Sequence, residues 1–87
     1  MMFKTHKNFD KQFTKLPPKI KRIAQAKIEL FTINPKDPML RDHPLSGNLT
    51  GLRAFSVTGD VRVVYELYKN ELVVLFIAIG THNQLYK

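Results

Sequence analysis

Apolar and polar positions keep one rhythm over the first third of the chain and another over the last. Phe9, Phe13 and Leu16 recur at i, i+4 and i+7, the spacing of one stripe on a helix, and Asn8 stands where a cap is expected. Pro17-Pro18 interrupts that stripe. Pro18 suits the first turn of a second helix, whose apolar face is Ile20, Ile23, Ala24, Ile28 and Phe31, with Lys19, Lys21, Arg22 and Lys27 over much of the rest. Two such helices predict a hairpin that lays its stripes on another layer. Asn34-Pro35-Lys36-Asp37-Pro38 ends the second helix, because the residue before a proline is pushed out of the helical region. A loop through His43-Pro44 and Ser46-Gly47-Asn48 follows, to about Gly51. From there the period shortens to two. Strands are predicted over Leu52–Val57, Val61–Leu67 and Leu72–Ile79, turning at Thr58-Gly59-Asp60 and Lys69-Asn70, and Phe3–His6 is a candidate first strand.

The same alternation fixes a register. Placing Phe55 and Val57 on one face with Val61, Val63 and Tyr65 requires a loop with an odd number of residues. Ala54, Ser56, Asp60, Arg62 and Glu66 then share the other face, which is expected to be polar, while the helices cover the first. The last strand is apolar on both faces and runs into Gly80-Thr81-His82-Asn83-Gln84-Leu85-Tyr86.

Composition narrows the classes. A chain of 87 residues makes one domain, expected to span 1–87. It has no cysteine, which removes disulfides, thiolate metal cages and a Cys nucleophile. No apolar run approaches the ~20 residues of a membrane-spanning helix, and the start turns polar too early for a secretory core, so a cytoplasmic protein without membrane contact is expected. Lys and Arg number 14 against 7 acids, and the excess sits in residues 1–30. That field suits a polyanionic partner, or serves only solubility.

Asp42-His43-Pro44-Leu45-Ser46-Gly47, the segment Gly59-Asp60-Val61-Arg62-Val63-Val64-Tyr65 and the ending Gly80–Tyr86 occur in this order behind a basic helical hairpin. In this the chain resembles the RelE/ParE superfamily of bacterial toxins, above all its YafQ-type branch, over nearly its whole length. The resemblance implies an α+β fold with the hairpin on one face of a largely antiparallel four-stranded sheet. It also implies an endoribonuclease that cleaves messenger RNA at the ribosomal A site, silenced by a cognate acidic antitoxin. Carried over by position, it makes His82 the active-site histidine, Tyr86 the terminal aromatic, His43 the loop histidine, Asp60 the acid before the third of the sheet's strands and Arg62 the phosphate-facing arginine. Lys21, Arg22 and Arg53 are the expected RNA contacts. Where YafQ-type toxins carry an acid and a second histidine on the preceding strand, this chain has Ala54 and Ser56, which leaves the general base open.

The chemistry fits these residue types. Cutting RNA without a metal or cofactor needs a base for the 2′-hydroxyl, a cation for the phosphate and an acid for the departing 5′-oxygen. Histidine, titrating near pH ~6.5, serves as base or acid. An arginine fork matches two phosphate oxygens. Read singly, each residue has a duller role: His82 ends a sheet, His43 sits in a turn, Asp60 is a turn former, Arg62 pairs across a wet face and Tyr86 closes a core edge. Histidines at 6, 43 and 82 lack metal-ligand spacing, and no Gly-rich phosphate loop or nucleophile elbow is present. Two alternatives share the fold: a ParE-like inhibitor of DNA gyrase, and a degenerate homologue that binds nucleic acid without turnover.

Overall fold

The computed structural model describes residues 1–86. Strand β1 (Met2–Thr5) leads into α1 (Lys7–Thr14) and α2 (Pro18–Ile33), then β2 (His43–Pro44), β3 (Arg53–Ser56), β4 (Val61–Tyr68), β5 (Val73–Thr81) and a last turn of helix, α3 (His82–Leu85). The sheet has five strands in the order β1-β5-β4-β3-β2, with β1 parallel to β5 and every other pairing antiparallel. The extra strand relative to the sequence reading is β2. It comes from the predicted loop, where His43 pairs with Ala54 and Pro44 with Arg53. A proline is tolerated there because β2 is an edge and needs no outward N–H donor.

The helical hairpin forms as the periodicity predicts, with one correction at its start. His6 caps α1 in place of Asn8, its Nδ1 accepting the Asn8 amide at 3.0 Å. The His6 amide also donates to the Phe76 carbonyl, so this residue joins β1 to α1. Pro18 opens α2, where no N–H is required of it. Both helices pack on one face of the sheet, around Phe9, Ala24, Phe31, Phe55, Tyr65 and Phe76. Gln12 of α1 reaches past the end of β1, and its Oε1 accepts the Ile79 amide at 2.8 Å.

The predicted register of the first hairpin is the observed one: Phe55 faces Val63 and Ser56 faces Arg62, with a loop over 58–60. The Thr58 hydroxyl organises that loop by accepting the amides of Asp60 and Val61. In the second turn Lys69, Asn70 and Glu71 all take left-handed backbone conformations. Strand β5 continues to Thr81, two residues beyond the predicted end, and a register shift opposite Val64/Tyr65 changes which of its residues face the helices.

The second face is not simply the polar one that the alternation predicts, because Ala54, Val64 and Ala78 lie side by side in the ladder. Ala54, Val64 and Ala78 form a buried floor there, on which Leu45, Leu52, Ile77, Leu85 and Tyr86 pack. A sheet with both faces partly covered needs a last strand that is apolar throughout, as β5 is. Among the described residues no helix is long and apolar enough to cross a membrane.

Candidate active site

The apolar floor carries α3 on one side and the segment after β2 on the other, and a cleft of about 520 Å³ lies between them. His43, Arg62, His82 and Tyr86 line it, from three separate parts of the chain: β2, β4 and the α3 turn. Leu45, Leu49 and Leu85 make its apolar wall, and Ser46 and Asn48 its rim.

Each side chain is placed by a local cause. Arg62 lies on β4 opposite Ser56 on one side and Gly80 on the other, so small neighbours flank it. Among the described residues it has no ion-pair partner. A guanidinium beside a cleft and unpaired by carboxylate is available to an anion. His82 begins α3, which is fixed by a capping box: the Thr81 hydroxyl accepts the Gln84 amide at 3.3 Å and Gln84 Oε1 accepts the Thr81 amide at 2.8 Å. Gly80 allows this. A Cβ there would stand 2.7 Å from Gln84 Oε1.

The helical turn puts the rings of His82 and Tyr86 edge to face, centroids 4.6 Å apart. The Tyr86 hydroxyl oxygen is buried with no hydrogen-bond partner among the described residues. Burial raises the Tyr86 pKa, and the positive charge of Arg62 pulls against that rise. His43 is exposed, and its Nδ1 lies 2.9 Å from the Arg41 carbonyl. Because a carbonyl only accepts, this contact requires the proton on Nδ1, which in the neutral ring leaves the lone pair on Nε2. Arg41 presents that carbonyl from a left-handed conformation, φ 50°.

The other predicted residues lie elsewhere. Asp60 is exposed in the bend before β4, does not line the cleft and forms no ion pair with Arg62. Lys21 and Arg22 are on α2, in the layer on the opposite face. Arg53 also turns to the helix side, where its Nη2 lies 3.3 Å from Asp42 and its Nε donates to the Tyr65 hydroxyl. Burial alone would lower the Arg53 pKa, but the hydrogen bonds to Tyr65 and Asp42 outweigh it and leave it raised. Sequence reasoning took Asp42 as part of a motif and missed this role. The signal was there: in an extended Asp42-His43 pair, the two side chains must point to opposite faces.

Comparison with known proteins identifies the family and the fold. Residues 1–87 match the family described as bacterial toxin of type II toxin-antitoxin system, YafQ. No curated protein sequence matches the chain significantly. Among solved structures, YafQ from E. coli strain BL21(DE3) superposes with a TM-score of 0.82 at 22% identity, covering 98% of this chain and 97% of its own. The E. coli DinJ-YafQ toxin-antitoxin complex gives 0.79 at 22% identity, with 98% and 96% covered. A metal-bound toxin from Helicobacter pylori gives 0.73 at 27% identity, with 99% of both chains covered. The family match over the whole length, with an α+β architecture to go with it, shows that the chain belongs to the YafQ family of toxins of type II toxin–antitoxin systems.

Proposed function

We propose that this toxin is an endoribonuclease that cuts messenger RNA, at the ribosomal A site, by attack of the 2′-hydroxyl on its own phosphodiester. The observation that carries this reading is the convergence of His43, Arg62, His82 and Tyr86 on one cleft. In the proposed reaction His43 Nε2 takes the 2′-hydroxyl proton and the 2′-oxygen bonds to phosphorus. The bond from phosphorus to the 5′-oxygen breaks, and His82 in its imidazolium form protonates that oxygen. The products are a 2′,3′-cyclic phosphate and a free 5′-hydroxyl. Arg62 stabilises charge on the non-bridging oxygens, and the Tyr86 ring, held by His82, stacks on a base. Ala54 is buried in an apolar floor and offers no proton acceptor, which supports assigning the base to His43.

As a toxin of a toxin–antitoxin system the protein has an antitoxin as partner. The E. coli relative is seen bound to DinJ. With a formal charge of +7, an acidic antitoxin acting in the cytoplasm is the partner this reading calls for. Lys21 and Arg22, remote from the cleft, would contact ribosomal or messenger RNA through charge alone, so reversing both should weaken binding and flatten its salt dependence without changing the chemical step. The test is single-turnover cleavage of a programmed ribosome, with 5′ ends mapped and a DNA analogue of the message as control. Cleavage of RNA and not DNA, leaving cyclic phosphate ends, supports the reading. Inhibition of gyrase supercoiling without RNA cleavage would replace it with the ParE-like alternative.

A further inference from the structure

Apart from its pairing with Ala54 of β3, His43 is held by little besides its neighbours in sequence. Strand β2 is two residues long, lies at the edge of the sheet, and contains a proline that offers no N–H. The Arg41 carbonyl that orients the ring comes from a non-glycine residue in the left-handed region, a conformation that persists only where the surroundings impose it. Asp42, between the two, is anchored on the far face of the sheet. It accepts the Tyr65 hydroxyl at 2.6 Å and lies 3.3 Å from Arg53 Nη2, while Arg53 Nε donates to the same hydroxyl at 3.2 Å. The ring closes on itself, and every partner is charged or already oriented. Tyr65 is 1% exposed, and it faces Arg53 across the β3/β4 ladder at the centre of the sheet. Beyond its pairing with β3, the short edge strand is thus tied to the centre of the sheet through one carboxylate.

We infer that Asp42, Arg53 and Tyr65 form a positioning clamp that holds His43 against the cleft with Nδ1–H on the Arg41 carbonyl and Nε2 left as the base. The clamp touches no substrate. It acts through the backbone of residues 41–43, one face of the sheet fixing what the other presents. Arg53 accordingly serves as a positioning residue rather than an RNA ligand. The catalytic consequence rests on the nuclease reading above; the placement of the His43 ring does not.

Two measurements separate them. Nitrogen–proton correlation spectra of labelled full-length protein report which ring nitrogen of His43 is protonated. Single-turnover cleavage of a programmed ribosome reports the reaction. In Asp42→Ala, His43 should lose the Nδ1–H form for a mixture of tautomers, and cleavage should slow about 10²-fold, the order expected when a reacting group is misplaced by ~1 Å. Asp42→Asn keeps an acceptor for Tyr65 and should recover most of both signals, while Tyr65→Phe, which spares the buried ring, should fall between. Thermal melts identify any variant that fails to fold, and the milder pair then decides. An unchanged His43 spectrum in the folded variants overturns the clamp. A changed spectrum with wild-type cleavage overturns its link to the reaction. If the wild-type protein cuts no RNA, the nuclease reading fails by itself, and the His43 spectrum alone judges the clamp.

Discussion

The two faces of the sheet are built from side chains of different size, and the difference separates stability from function. On the helix side Phe31 stacks on Phe55 with centroids 4.6 Å apart and meets Tyr65 edge to face at 4.8 Å, filling the space under α1 and α2 with aromatic volume. On the other side the buried floor is Ala54, Val64 and Ala78. Small residues cannot fill the layer above them. The space they leave holds one helical turn, the segment after β2 and the cleft. Large residues on one face allow small ones on the other: the fold is secured where nothing reacts, and the reacting groups stand over a thin, rigid base.

The sharpest way to break this contrast is to delete volume on each face. Phe31→Ala empties the centre of the aromatic cluster and should cost ~3–5 kcal/mol. That approaches the whole stability of a small domain, ~5–15 kcal/mol. Leu85→Ala, above the floor and only partly buried, should cost far less. Urea melts of both variants check this, and equal costs would show that the open face carries as much of the fold as the closed one.

The converse holds for chemistry. His82→Ala should leave the melt almost unchanged and lower single-turnover cleavage by ~10²-fold or more, the usual worth of a placed proton-transfer group. Arg62→Ala should also slow the step, through lost charge stabilisation, so its defect should not follow pH as a histidine's does. A folded His82→Ala protein that cuts at the wild-type rate would remove the cleft from the mechanism.

Gly80 lies where the two roles meet, pairing with Arg62 in the ladder and lying under Gln84 of α3. Gly80→Ala should push the Gln84 side chain away and cost the capping box, ~1 kcal/mol at a typical helix cap. Because α3 carries His82, cleavage should drop well before the sheet melts. Amide exchange at Thr81 and Gln84 should rise first.

The helical hairpin was legible in the sequence because its stripes obey one period and its prolines mark its ends. The 58–60 loop was legible because only an odd loop kept Phe55, Val57, Val61 and Val63 together. Strand β2 was not: two residues, one a proline, give no alternation to read. The shift in β5 was hidden for a related reason, since a strand apolar on both faces looks the same in either register. At the site, residue types were legible and pairings were not. His82 and Tyr86 meet through a local turn that their spacing announces. The tie from Asp42 to Tyr65 spans 23 positions and appears only when the sheet is assembled. The same assembly turned Arg53 away from the cleft.

The smallest expected effect contrasts two tyrosines, one on each face. Burial raises the pKa of both: Tyr65 strongly, with its hydrogen bond to the Asp42 carboxylate adding to the rise, and Tyr86 against the opposing charge of Arg62. A phenol whose folded pKa lies above its unfolded value of ~10 binds its proton more tightly in the native state. The stability this supplies is fully present below pH ~10 and is lost as pH climbs from there through the folded value. Stability should therefore be insensitive to Tyr65 near neutrality and fall in the alkaline limb, and Tyr65→Phe should flatten that limb. At Tyr86 the balance can be moved from outside. Arg62→Ala removes the charge that holds its pKa down, so phenolate absorbance should appear at higher pH in that variant, while the titration of Tyr65 stays where it was. If both tyrosines shift together, the faces are electrostatically coupled through the sheet and the division between a closed supporting face and an open reactive one does not hold for charge.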